Sequence, residues 1–145
     1  RMQCVARVAL AASVHNCRGI TMKAVFIEQY GGPDVLKYGD WPDPVAGAGE
    51  VVIDVVAASV NGADWKVRVG QHKQPKFPFV LGRDFSGVIS AVGEGVADLA
   101  VGDAVFGVCD AGHEGAYAEK IAVRGAIVAR KPDRMSMPPP WRSPA

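Results

Sequence analysis

Among the stretches whose residue types and spacing could do chemistry is Leu81 to Val96, where "LGRDFSGVISAVGEGV" combines four glycines with Arg83 and Asp84. A phosphate loop of the G-x-x-x-x-G-K-S/T kind holds its ligand on backbone N–H groups and a lysine. Gly82 and Gly87 have the first spacing, but Val88 stands where the lysine belongs. A dinucleotide loop needs G-x-G-x-x-G between a strand and a helix. Gly93-Glu94-Gly95 begins that pattern, and Asp98 takes the third glycine's place. Gly82, Asp84, Gly87 and Gly93, with Gly102 and Asp103 further on, therefore read as structural turns between strands.

A metal is the second chemistry to weigh. Catalytic zinc needs three protein ligands from Cys, His or carboxylate. Beyond the first 21 residues the chain has one cysteine, Cys109, and two histidines, His72 and His113. Asp110 or Glu114 could add oxygen beside Cys109 and His113, but no second Cys or His is near. We expect no metal, and Cys109 reads as a small buried hydrophobe at a strand end.

The third candidate is "SVNGADWKVRVG", Ser59 to Gly70. Asn61-Gly62 after a long strand signals a hairpin turn, and Trp65, Val67 and Val69 then alternate with Lys66 and Arg68 as a strand would. The competing reading gives Asp64 to the cap of a short helical turn, since Asp is a favoured cap. Arg68, His72, Lys73, Lys76 and Arg83 make the region locally basic. That group is either a cofactor phosphate site or, as charge runs usually are, a solvated face. Trp65 and Tyr117 read as core or cleft wall, since no spacing gives either a proton-transfer role.

Short β-strands must position these residues. "MKAVFIEQYG", "VLKYGDW" and "EVVIDVVAASV" are followed by "GVISAV", "DAVFGV", "GAYAEKIAV" and "AIVARKP", each bounded by Gly, Pro or Asp. Such regular short strands predict a mainly β barrel or sandwich. Residues 1–21 lack acidic side chains, carry Arg1, Arg7 and Arg18, and include an apolar run, so they read as an upstream extension or as an organelle-targeting leader. Residues 22–136 form the domain. Residues 137–145, "MPPPWRSPA", are an atypical Pro-rich tail that no helix interior accepts.

The totals exclude several classes. A chain of 145 residues suits one domain, and 16 basic against 15 acidic residues leave no field to recruit nucleic acid or an anionic membrane. The longest apolar stretch, Val51 to Val60, is broken by Asp54 and falls short of the roughly 18 residues of a membrane span. Three cysteines close no disulfide framework, so a reducing, cytoplasmic setting is expected.

"VLGRDFSGVISAVGEGV" followed by "GDAVFG" and "GAYAEK" resembles the N-terminal, GroES-like domain of the medium-chain dehydrogenase/reductase superfamily. "MKAVFIEQYGGPDVL", "GEVVIDVVAASVNGADWKVRVG" and "KPD" fit the same domain in the same order, so the resemblance runs from Met22 to about Ser136. Its closest branch is the zinc-free quinone oxidoreductase-like reductases. The resemblance implies a partly open β-barrel with short helical turns, followed in the family by a Rossmann domain that is absent from this sequence. In the zinc alcohol dehydrogenases of the superfamily, Gly-His-Glu stands where this chain has Gly82-Arg83-Asp84, and a cysteine ligand stands at Asn61. Both ligand positions are lost here. His113-Glu114 only imitates that motif further downstream.

What the resemblance implies for function is a reductase of a quinone or enone that uses NADPH or NADH and no zinc. The family motif Asn-Pro-x-Asp is matched as Asn61-Gly62-Ala63-Asp64. Asn61 is thereby placed near nicotinamide and acceptor, as catalytic and partial cofactor-binding residue, with Asp64 and Trp65 in the substrate cleft. The alternative that leaves Asn61 a turn former stays open. Because the family binds its dinucleotide mainly through the other domain, this chain alone is expected to bind cofactor weakly and to be inactive. The switch to "MPPPWRSPA" at an expected helix start reads as a truncation or frameshift. Two other readings stand beside this one: a stand-alone GroES-like barrel acting as a binding module, and a fragment of a zinc-dependent alcohol dehydrogenase. Oligomeric state is left open.

Overall fold

The computed structural model describes residues 21–72 and 76–135. The expectations for residues 1–20, for Lys73, and for Ser136 and the Pro-rich tail lie outside the described residues.

Eight strands, one short α-helix and two 3-10 turns make up the described fold: β1 (Thr21–Ile27), β2 (Lys37–Pro42), β3 (Glu50–Ala58), α1 (Gly62–Arg68), β4 (Phe79–Val80), β5 (Asp84–Val92), β6 (Ala104–Val108), β7 (Lys120–Arg124) and β8 (Val128–Arg130). They form two antiparallel sheets, ordered β2-β1-β4 and β7-β3-β5-β6-β8, and the sheets do not close into a barrel. The 116–119 segment stitches them together. Val25 N–H donates to the Tyr117 carbonyl at 2.7 Å, and Glu119 N–H donates to the Lys23 carbonyl at 3.0 Å. The 115–119 part of "GAYAEKIAV", expected as strand, is thus a crossing segment, and regular pairing begins only at Lys120.

Alternation does most of the folding work. β5 turns Phe85, Gly87 and Ile89 inward and leaves its alternate residues half-covered or exposed, as period-two patterning requires. Val51, Ile53, Phe85, Ile89, Val105 and Cys109 pack in the main core, with Ala116, Ile121 and Val123. Cys109 lies one residue past β6, buried as a small hydrophobe. A second cluster joins Ile27, Val35, Val67 and Leu81, and so ties α1 to the three-stranded sheet.

Three expectations need correction. Residues 62–68 form a helix, not the second arm of a hairpin, because Asn61 is extended (φ −108°) and its N–H is taken by the Asp64 carboxylate at 2.7 Å. The helix buries Val67 and leaves Trp65 outside. Asp84 and Gly87 are not turn residues but members of β5, paired with Val108 and with Val55 and Val105. Gly87 is needed for proximity, since a Cβ there would lie 2.1 Å from the Asp54 carbonyl oxygen across the ladder. The first strand begins at Thr21, one residue inside the segment read as leader.

The remaining turn residues are placed as follows. Gly93 follows β5 and donates to the Glu50 carbonyl at 2.8 Å, while Gly102 donates to Ile89 at 2.9 Å ahead of β6. Asp103 closes that turn by accepting from Ala100 N–H at 2.9 Å and from Arg130 at 3.0 Å.

The β3–β5 register makes a ranked prediction. Gly87→Ala should cost about 2–3 kcal/mol of stability through overpacking against backbone. Gly95→Ala meets no neighbour within 4 Å and bears only a positive φ of +82°, so it should cost about 1 kcal/mol. Urea midpoints measure both, and equal losses would refute the register. Asp103 offers a pH test. The Ala100 N–H and then Arg130 hold its carboxyl below the usual range, so its contribution is present above about pH 4 and lost as pH falls further. Asp103→Asn should flatten that acid limb in thermal melts.

Candidate functional site

Three segments converge beside α1: the end of β3 with Ser59 and Asn61, the start of β5 with Arg83 and Asp84, and the loop after β6. Asn61 Nδ2 donates to Asp84 Oδ2 at 2.8 Å and to Ser59 Oγ at 3.0 Å, and the Ser59 hydroxyl donates to the same Asp84 oxygen at 2.8 Å. These contacts use both amide hydrogens. The amide expected to offer a free donor to an acceptor carbonyl is therefore already a bridge between two strands' ends.

Asp64 takes the capping role at the start of α1 that one of its two readings gave it, and not the cleft position of the other. It is 4% exposed, so it does not line an open cleft. Its Oδ2 accepts from Asn61 N–H at 2.7 Å and from the Tyr117 hydroxyl at 2.8 Å, and its Oδ1 is buried without a partner. A buried carboxylate is tolerated only when hydrogen-bonded. Here the two donors fix the start of α1 against the segment that crosses between the sheets. Burial, then the bond to Asp64, pushes the Tyr117 hydroxyl well above its usual range, so it remains a donor. Gly82 lets Tyr117 approach: its φ is +96°, and a Cβ there would fall 2.4 Å from the ring.

The concave surface lies on the other side of this anchor. A cleft of about 700 Å³ is walled by Ala63 and Val67 of α1, by Arg83, and by Ala111, Gly112 and Glu114. Ala63 and Val67 share a helix face at i and i+4. Trp65 is outside this lining and is 45% exposed. Arg83, grouped with the solvated cations in the sequence, is half-buried in this wall. Its Nη2 donates to the Cys109 carbonyl at 3.1 Å, while its Nε is buried with no acceptor. His72 and Gln71 complete the lining. Arg68 turns elsewhere, to the Gly31 carbonyl at 3.3 Å.

Among the described residues, no three His, Cys, Asp or Glu side chains stand together as a metal set. His113 lines a neighbouring cavity of about 510 Å³ with Cys109 and Asp110, which shares Ala111 with the cleft. Burial, reinforced by Glu114, pushes the Cys109 thiol up to about 12, which keeps it from offering a thiolate near neutral pH. One glycine of the candidate dinucleotide loop is closed off. A Cβ at Gly93 would lie 1.8 Å from the Gly47 carbonyl oxygen, so that position is closed by backbone and not open to a ligand.

The role of Arg83 was legible only as a charge. Its signal was position, between a glycine that admits Tyr117 and an aspartate that takes Asn61, and that signal needs the fold to be read.

The family model for the alcohol dehydrogenase GroES-like domain matches residues 47–133. The quinone oxidoreductase of Sus scrofa is 34% identical over 116 residues, covering 79% of this chain and 35% of its own length. The solved quinone oxidoreductase of Coxiella burnetii superposes with a TM-score of 0.76 at 33% identity, over 81% of this chain and 39% of its own. The Escherichia coli quinone oxidoreductase complexed with NADPH gives 0.74 at 26%, over 79% and 34%. The chain thus spans about a third of the length of the curated relatives it matches.

The Asp64–Tyr117 contact can be tested directly. Tyr117→Phe should lose about 1–2 kcal/mol, as expected for a hydrogen bond to a charged, partly shielded group. Because the folded-state pKa of Tyr117 is raised, its contribution is complete below about pH 10 and lost as pH rises beyond that. Wild type and Tyr117→Phe should therefore converge in denaturation midpoint at alkaline pH, and a constant gap would refute the assignment.

Proposed function

The chain belongs to the alcohol dehydrogenase GroES-like domain family, in the quinone oxidoreductase-like branch of the medium-chain dehydrogenase/reductase superfamily, and from that membership we propose that it forms the substrate-side part of a zinc-independent NAD(P)H-dependent reductase of quinones or activated alkenes. The observation that carries the reading is the 2.8 Å bond from Asn61 to Asp84. By the resemblance, these two positions hold a cysteine and a glutamate in the zinc enzymes. Here an amide nitrogen faces a carboxylate, a pair that satisfies itself and offers no soft ligand.

That substitution selects the acceptor. Alcohol oxidation needs a Lewis acid to stabilise an alkoxide near neutral pH. A quinone or enone does not, because negative charge develops on a conjugated oxygen that positioned donors can hold. The nicotinamide cofactor supplies the hydride. The diphosphate is assigned to a second domain of the enzyme, in keeping with the family's way of binding its dinucleotide. Asn61 serves the reacting end by releasing Ser59, the longer of its two contacts, while Asp84 keeps the amide oriented. The working partner is a small molecule in a reducing, cytoplasmic setting, with neither nucleic acid nor membrane. Among the described residues no helix is long and apolar enough to cross a membrane.

A chimera joining this chain to the remaining portion of the Escherichia coli relative tests the reading. Benzoquinone-dependent NADPH oxidation that survives a zinc chelator is expected. Asn61→Ala in that chimera should lower turnover about tenfold or more and leave the KM for NADPH nearly unchanged. A folded chimera that oxidises alcohols only when zinc is added would overturn the proposal.

A further inference from the structure

One face of the five-stranded sheet departs from the alternation seen elsewhere in the fold. An antiparallel sheet with one solvated face carries apolar residues inward and polar residues outward. β6 reads Ala104-Val105-Phe106-Gly107-Val108, and Val105 is buried, so Ala104, Phe106 and Val108 stand on the opposite, outer face. Phe106 is 43% exposed and Val108 52%. Cross-strand partners share a face, and the ladder therefore widens this surface. Phe106 pairs with Ala129 of β8 on one side and Ser86 of β5 on the other, and Ala104 pairs with Val88. A strand apolar on both faces is patterned to be covered on both. A contiguous exposed apolar surface of this kind marks an interaction site.

The surface runs up to the candidate site. Val108 pairs with Asp84, the carboxylate that holds Asn61. Phe106 lies two residues from that pair, about 7 Å along the strand. A shallow depression of about 270 Å³, bounded by Ala57, Ala58, Ser59, Asp84 and Ser86, lies beside it and gives a seated partner a recess for one side chain.

We propose that the outer face of β6, centred on Phe106 and Val108, docks the dinucleotide-binding part of the enzyme through an apolar surface of that part. This rests on the reductase reading above, in which the diphosphate belongs to a second domain. Hydride transfer requires donor and acceptor atoms in near contact, so that domain must lie against this one beside Asn61. A body seated on Phe106 and Val108 meets the requirement, because Asp84 ties Asn61 to the same end of the face. The chain covers 35% of the Sus scrofa relative, whose remaining length is ample for such a body. A second copy of this chain is a poorer occupant. A two-fold contact uses the same patch twice and would bring two Asp84 carboxylates into one interface.

Cysteine footprinting in the chimera described above reads docking without reference to activity. Val108→Cys should react with a maleimide in the isolated chain and about tenfold or more slowly in the chimera, as the buried centre of an interface requires. Val101→Cys, 65% exposed in the turn ahead of β6, should react equally in both, and peptide mapping separates these thiols from the native cysteines. A second measurement needs only the isolated chain and covers a chimera that does not fold. Phe106→Thr combined with Val108→Thr keeps a strand-favouring residue at both positions and should remove about half or more of the fluorescence of bound 8-anilinonaphthalene-1-sulfonate. Val108→Thr alone, close in shape to the native residue, should lower it in the same direction if the double variant is unfolded. Equal Val108→Cys reactivity in chain and folded chimera, or dye binding unchanged in a folded variant, overturns the proposal. So does protection of the thiol in the isolated chain that grows with protein concentration, which marks a second copy as the occupant. Benzoquinone reduction by a chimera whose Val108→Cys stays reactive would sink this inference and leave the reductase reading standing. A protected thiol in a chimera without benzoquinone activity would do the reverse.

Discussion

The arrangement beside α1 depends on one buried carboxylate. Asp64 is held by donors from two distant parts of the chain, the Asn61 backbone at its own helix start and the Tyr117 hydroxyl 53 residues away. A seven-residue helix is too short to be stable by itself. Its position is therefore set by Val67 in the second core cluster and by this carboxylate. Once α1 is fixed, Asn61 lies over Asp84, and Ala63 and Val67 face Arg83 across a cleft. Moving Asp64 would displace both the polar bridge and the cleft wall.

The sequence carries strand patterning well and this helix poorly. The β-branched run at 50–58 and the alternation in β5 to β8 leave few other foldings, since one face must be apolar. Asn61-Gly62 followed by alternating Trp65, Val67 and Val69 matches a hairpin arm equally well. What decides for the helix is the pair of bonds to Asp64, one from the Asn61 N–H that closes the helix start locally and one from Tyr117, a contact between residues far apart in the chain that no local period reveals. The same holds for Gly87. A glycine in "DFSG" reads as a turn, yet its purpose is the close passage of β5 past the Asp54 carbonyl. Glycine types mark positions where space or φ is limiting, but which of the two applies is a tertiary fact.

Charge was the least legible layer. Arg68 and Arg83 fall in one basic stretch of the sequence, but Arg68 turns to the Gly31 carbonyl while Arg83 turns to that of Cys109. Backbone carbonyls thus divide a patch into separately oriented donors. A divided patch does not present the dense field that a phosphate group requires. Asn61 shows the converse. Its identity pointed to a donor at the reacting end, and the fold gives both of its amide hydrogens to neighbours. The site is polar but largely satisfied; Asp64 Oδ1 is buried without a partner, and so is Arg83 Nε, the exception that carries positive charge.

That exception bears on what a cation other than a metal can do at such a position. A metal ion lowers the pKa of a bound hydroxyl because it withdraws electrons through a coordinate bond, and an alcohol must lose its proton before or as it loses hydride. A guanidinium forms no coordinate bond. It stabilises charge only where a lone pair already exists, by hydrogen bonds whose value rises as the oxygen becomes more negative. Its contribution to a carbonyl ground state is consequently modest, and its contribution to the oxyanion that follows is larger. Under the proposed reductase reading, Asn61, Arg83 and Asp84 at the positions where the superfamily's zinc enzymes carry ligands would change more than affinity for an ion. They would shift the favoured chemistry from deprotonating an alcohol to receiving an electron pair on a conjugated oxygen.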